Sequence, residues 1–223
     1  MNNNRLTDTI CAISTPPGVG AIAIIRLSGP DAITIANTVF HGKDLLKVPS
    51  HTIHFGTIRE NDKIIDEVLV SIFKDKKSFT GENAVEISTH GSPYIQQQVL
   101  QLLLKQGAKL AQHGEFTMRA FLNGKMDLSQ AEAVADVIAA NSEAAHQLAM
   151  EQMRGGFSNE IKKLREELIH FASLIELELD FSEEDVEFAN REQLKDLVTK
   201  LHETLHQLIQ SFNVGNVIKT GVP

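Results

Sequence analysis

Tryptophan is absent from this chain, tyrosine and cysteine occur once each, and no apolar run approaches membrane-spanning length. Each shortage excludes something. Eleven phenylalanines are nearly the whole aromatic complement, so a stacking platform for single-stranded bases is not expected. The lone Cys11 has no intramolecular disulfide partner, which suits a reducing compartment. The polar stretch from Met1 to Leu6 leads into no apolar signal core, and a cytoplasmic location without membrane contact is expected. No G-x-x-x-x-G-K-[ST] loop occurs in the 223 residues, so nucleotide hydrolysis by this stretch alone is not expected.

Basic excess is missing as well. The net charge is −8, and seven acids with no compensating base fall between Glu176 and Glu187. Setting those seven aside leaves 22 acids against 21 bases, which is too nearly neutral to hold nucleic acid unaided. A nucleic-acid role therefore needs a local patch, a further segment or a partner. The acidic stretch itself lacks the glycine and the alternation of a calcium loop and reads as a solvated connection.

What is present divides the chain near residue 120. Residues 1–120 read as α+β. Strands are expected over Thr9–Ser14, Ile22–Leu27, His51–Ile58, Ile64–Phe73 and Ala84–Thr89, with helices opening at Ser28-Gly-Pro30 and Ser92-Pro93. Residues 121–223 read as helical, with periodic segments over Leu128–Met153, Phe157–Leu179 and Arg191–Phe212, the first two separated by Gly155-Gly156. Val217-Ile-Lys-Thr-Gly-Val-Pro223 reads as the start of a further strand, so the chain is expected to be a piece of a longer one.

Three groups of residues invite a chemical reading. Gly18-x-Gly20 precedes a strand instead of a helix, which is the wrong context for a phosphate loop. His202-Glu-Thr-Leu-His206 matches the helical zinc-peptidase pattern, but nothing after Glu203 supplies a third ligand beyond His206, and the histidines border an apolar stripe from Leu194 to Phe212. Arg26 and Glu86 interrupt apolar strands, which is costly unless they are paired or bound; the alternative is that both face solvent on an open sheet. Lys125 falls on a corner between the stop at Asn123-Gly124 and a helix start capped by Asp127 or Ser129, where it either grips an anion or is a solvated turn residue.

Several motifs occur together in one order: Thr15-Pro-Pro-Gly-x-Gly20, Ile25-Arg-x-Ser-Gly29, Phe79-Thr-Gly-Glu82, Glu86, His90-Gly91, Gly114-Glu-Phe116, Arg119-Ala-Phe-Leu-Asn123, Lys125-x-Asp-Leu128 and Gln130-Ala-Glu-Ala133. In these the chain resembles the N-terminal part of the MnmE (TrmE) family of tRNA-modification GTPases. The resemblance implies an α+β domain like that of folate-dependent aminomethyltransferases, which binds 5-formyl-tetrahydrofolate or a related one-carbon folate and forms a homodimer. It implies a helical domain interrupted by an inserted GTPase domain that uses GTP, magnesium and potassium and would lie beyond this chain. With the flavin enzyme MnmG, such a protein adds an aminomethyl-type group to the wobble uridine of tRNA. The family's folate contacts fall on Arg26, Glu86 and Lys125; no catalytic or metal-ligating residue is carried over. Two other readings stay open: a stand-alone folate-binding and dimerisation module without GTPase activity, and the zinc peptidase.

Overall fold

A computed structural model describes residues 7–180 and 191–220 in two compact units, residues 1–126 and 127–223. The first unit is a mixed seven-stranded sheet with helices, and the second is helical.

In the first unit, β-branched and apolar runs bounded by turns form β1 (Ile10–Ile13), β2 (Ile22–Ser28), β4 (Thr52–Glu60), β5 (Lys63–Phe73) and β6 (Ala84–His90). Short edge strands β3 (Phe40–His41) and β7 (Lys109–Leu110) complete the order β3-β4-β5-β6-β2-β1-β7. Every pairing is antiparallel except β1 with β7. Two-residue strands carry no periodicity, so the sequence did not announce β3 or β7. Backbone pairing with β4 and β1 defines them.

Helices α1 (Ala32–Val39) and α2 (Pro93–Lys105) cover one sheet face. Ile25, Leu27, Val68, Val70, Ile72, Val85 and Ile87 point inward to Ala36, Val39, Val99 and Leu103, and all are buried. This is the alternation expected of a half-covered antiparallel sheet. Cys11 belongs to the same core, and burial pushes its thiol up to about 11. The opposite face carries no helix of this unit's core: Ile53 and Phe55 of β4 are 65% and 66% exposed and Leu69 of β5 is 47% exposed.

Helix α3 (Glu115–Leu122) ends in a tightly determined corner. Gly124 has φ 68°, Lys125 N donates to Ala120 O at 2.9 Å, and Gly124 N donates to Phe121 O at 3.0 Å. These are the paired closing bonds of a Schellman motif.

In the helical unit, Asp127 and Gln130 form a reciprocal capping box on α4 (Leu128–Ala139). The Ala-rich run is not one helix to Met153. Ala140 turns extended and the Ser142 hydroxyl accepts from Ala145 N at 3.2 Å, which starts α5 (Glu143–Met153). A serine there offers a cap that competes with continued helix, and Gln130 Nε2 reaches Met153 O at 3.1 Å, so the two helices fold back antiparallel. Helices α6 (Gly156–Asp180) and α7 (Arg191–Thr220) follow; Lys200 meets Glu167 at 2.7 Å. Residues 217–220, read as a strand start, continue α7. β-propensity expresses itself through cross-strand neighbours, whereas a helix satisfies its backbone internally. Ile138, Leu179 and Ile209 are left 80%, 68% and 61% exposed on this unit.

Candidate functional site

Arg26 and Glu86 are direct register partners on β2 and β6. Their side chains therefore stand on the same sheet face, the one opposite α1 and α2, in a row that continues through Ser71 to Ile53. Arg26 Nε donates to Glu86 Oε1 at 2.9 Å, and Nη2 lies 2.6 Å from the same oxygen in an ion pair. The pair is 29% and 27% exposed, so the open-face and paired readings of the sequence describe the same two residues. Among the described residues neither Arg26 Nη1 nor Glu86 Oε2 has a further partner. A donor and an acceptor are thus presented side by side.

Two aromatic rings flank the guanidinium: Phe79 with its centroid 5.7 Å from Cζ, and Phe116 at 5.6 Å. They attract the cation through their π faces and restrict its orientation. Phe79 belongs to the turn from Ser78 to Glu82. The other side of that turn touches Lys125, because a Cβ at Gly81 would lie 3.2 Å from Lys125 Cγ and from Asn123 Cβ. Gly81 also has φ 77°, where a side chain is strained in any case. Lys125 Nζ donates to Lys76 O at 2.7 Å, and Asn123 Nδ2 to Thr80 O at 2.8 Å. One turn therefore has Arg26 on one flank and Lys125 on the other.

The turn is held from below by a group that sequence reasoning left without a role. Arg119 of α3 is fully buried. Its Nη1 donates to Asp8 O at 2.8 Å and to Glu82 Oε1 at 3.3 Å; its Nη2 donates to Asp8 Oδ1 at 2.8 Å and Glu115 Oε1 at 3.0 Å. Glu82 Oε2 accepts from Ser28 Oγ at 2.7 Å, and that hydroxyl lies 2.6 Å from Thr80 Oγ1. Burial alone favours a neutral guanidine. The bonds to Glu115 and Asp8 and the nearby Glu82 charge outweigh it and hold Arg119 more firmly protonated than a free arginine. Burial likewise opposes ionisation of Asp8, but bonds from Lys109 and Arg119 bring its carboxyl below the ordinary value. The available signal was the i, i+4 pair Glu115 and Arg119 in a short helix that is apolar elsewhere except at Thr117.

The remaining motifs fall elsewhere. Gly20 N donates to Gly91 O and Gly91 N to Ala21 O, and a Cβ at Gly91 would collide with the Gly20 backbone. These glycines serve a close chain approach. His202 and His206 stack on α7 with centroids 6.2 Å apart. Among the described residues no three ligating side chains group around a metal position. The side chains of Leu208 and Phe212, and residues Glu183, Glu184, Asp185 and Glu187 of the acidic stretch, lie outside the described residues. A cleft of about 200 Å³ between α4 and α5 is lined largely by Ala139, Ala140, Ala145, Ala149 and Leu148; it reflects small side chains and gathers none of the ionic residues above.

Residues 9–125 match the family model described as GTP-binding protein TrmE N-terminus, and residues 128–223 match the MnmE helical domain. The chain belongs to the MnmE (TrmE) family. Among its relatives, the tRNA modification GTPase MnmE of Flavobacterium psychrophilum is 65% identical over 219 residues, covering 97% of this chain and 47% of that protein. The proteins of the same name from Christiangramia forsetii and Bacteroides thetaiotaomicron are 62% and 58% identical over 222 and 220 residues, covering 98% and 97% of this chain and 47% of each relative. The chain thus spans about half the length of the curated relatives it matches. No described helix is long and apolar enough to cross a membrane.

Proposed function

We propose that this chain is the folate-holding and dimerising portion of a cytoplasmic tRNA modification GTPase. The observation that carries the reading is the Arg26–Glu86 pair, open on one side, flanked by Phe79 and Phe116 and joined through one turn to Lys125. A reduced pterin carries adjacent ring donors and a carbonyl, and a carboxylate beside a guanidinium matches such an edge. Lys125 suits a glutamyl carboxylate at the other end of the molecule. The donor set therefore fits a one-carbon tetrahydrofolate, which supplies the carbon unit when bound. Arg26 and Glu86 bind and orient it; Lys125 anchors it.

In the whole protein this portion presents the folate, a GTPase domain outside this chain binds GTP with magnesium and potassium, and the flavin partner MnmG joins the modification of the tRNA wobble uridine. Titration of this chain with 5-formyl-tetrahydrofolate tests the site. Saturable one-to-one binding is expected, weakened about tenfold in Lys125→Ala through loss of one charge-assisted contact. Equal affinity of wild type and variant would remove Lys125 from the site.

The open sheet face supports the second part of the reading, a homodimer. Ile53, Phe55 and Leu69 lie in the two register rows that run to Arg26–Glu86 and Ser88–Ile24. They make a connected apolar surface of the kind that pairs with a second copy. Sedimentation velocity should show a dimer for the wild type and a shift toward monomer for Phe55→Glu. A wild type that sediments as a monomer at all concentrations would refute it.

A further inference from the structure

We infer that the turn from Lys74 to Lys77 is a subsite for the γ-linked oligoglutamate tail of a folate, continuing the site beyond Lys125. The inference rests on the folate reading above and adds which form of the ligand the site selects.

The turn leaves β5 at Phe73 and makes a single 3₁₀ turn over Asp75–Lys77. It is a fixed feature: Asp75 N donates to Asn83 Oδ1 at 3.1 Å, and Ser78 N to Asp75 O at 3.2 Å. Lys74 is drawn to one side, its Nζ on Leu46 O at 3.2 Å. Lys76 and Lys77 point into solvent, and among the described residues neither meets a carboxylate. Of the other lysines of this unit, Lys47, Lys105 and Lys109 pair with Asp44, Glu60 and Asp8, whereas Lys43 and Lys63 form no ion pair among the described residues. Glu82, the nearest acid along the chain after Asp75, is committed to Arg119 and Ser28.

Direction follows from the turn between Ser78 and Glu82. The flat donor–acceptor pair stands on its Phe79 flank and Lys125 on its Gly81 flank, and Lys125 is bonded to the backbone of Lys76 itself. A ligand with its ring at Arg26–Glu86 and its first glutamate at Lys125 would send further carboxylates toward Lys76 and Lys77. Each γ-linked residue adds one carboxylate, so the match is of repeated anions to successive cations. Exposed charge pairs of this kind are individually weak and screened by salt.

The experiment compares mono- and pentaglutamyl 5-formyl-tetrahydrofolate by calorimetry on this chain and on Lys76→Gln/Lys77→Gln, at low salt and at high salt. The pentaglutamyl form is expected to bind about 5-fold more tightly to the wild type at low salt. That ratio should fall toward one in the double variant and in high salt. Equal affinity of the two forms for the wild type, with the monoglutamyl form still binding, overturns the inference and leaves the folate reading standing. A ratio that persists in the double variant also overturns it. So does a variant that keeps the ratio but loses retention of tRNA, which assigns the turn to RNA phosphates. No binding of either form sinks the folate reading, and the inference with it.

Discussion

Arg119→Ala is expected to cost about 3–5 kcal/mol of stability, the range typical of removing one member of a buried ion group. Arg119 is wholly inaccessible and answers three carboxylates, those of Asp8, Glu82 and Glu115. Taking it away leaves those acids facing one another with little water to solvate them. Arg119→Lys keeps the charge but not the planar fork that reaches several acceptors at once, so an intermediate loss is expected. The urea midpoint of the first unit, followed by exchange of its core amides, measures both. A midpoint for Arg119→Ala within experimental error of the wild type would mean that the network contributes nothing.

The same network sets an acid limit. The Asp8 carboxyl in the folded chain titrates below its ordinary value near 3.8. A lowered folded value means that ionised Asp8 stabilises the fold at all pH above the unfolded value. That contribution disappears as pH falls through the folded value. Asp8→Asn should therefore lower the midpoint at neutral pH and flatten the wild type's decline below about pH 4. An unchanged acid limb would argue against Asp8 as one of its causes.

Glu86→Ala is expected to weaken 5-formyl-tetrahydrofolate binding about 100-fold or more while shifting the melting temperature little. Two charge-assisted bonds from a pterin edge are lost, and each is worth more than a neutral bond. Arg26 is also released from its carboxylate and loses the contact that fixes the angle of its guanidinium, leaving only the two aromatic rings. Stability is expected to change little because the pair is more than a quarter exposed, and water replaces much of what the ion pair supplied. Glu86→Gln keeps the shape and one acceptor and should fall between wild type and alanine. Calorimetric titration and thermal melts on the same samples separate the two effects. Affinity within threefold of wild type for Glu86→Ala would remove this residue from the ligand, whatever happens to the melting temperature.

Much of the architecture is written in local chemistry. Alternation along Val68, Val70 and Ile72 reflects burial against α1 and α2, and a one-residue slip would turn all three to the open face. Asn123-Gly124 stops α3 because glycine enters the left-handed region without strain, and Asp127 with Gln130 caps α4 by side chains that reach only three residues. Such features depend on near neighbours and are legible without a structure. The break at Ala140–Ser142 was missed because propensity favours helix on both sides of it, and the antiparallel packing of α4 on α5 fixes where the chain turns.

Residue type and spacing by themselves determined that an arginine and a glutamate interrupt two apolar strands, that a lysine sits on a rigid corner, and that the chain passes from mixed sheet to helices. Only the tertiary structure decided that Arg26 and Glu86, sixty residues apart, answer each other across adjacent strands. It alone placed Arg119 beneath the turn that separates that pair from Lys125. The reason is that periodicity reports which face a residue takes, whereas the identity of its neighbour depends on strand order and register. Those are set by how the whole sheet closes over its helices.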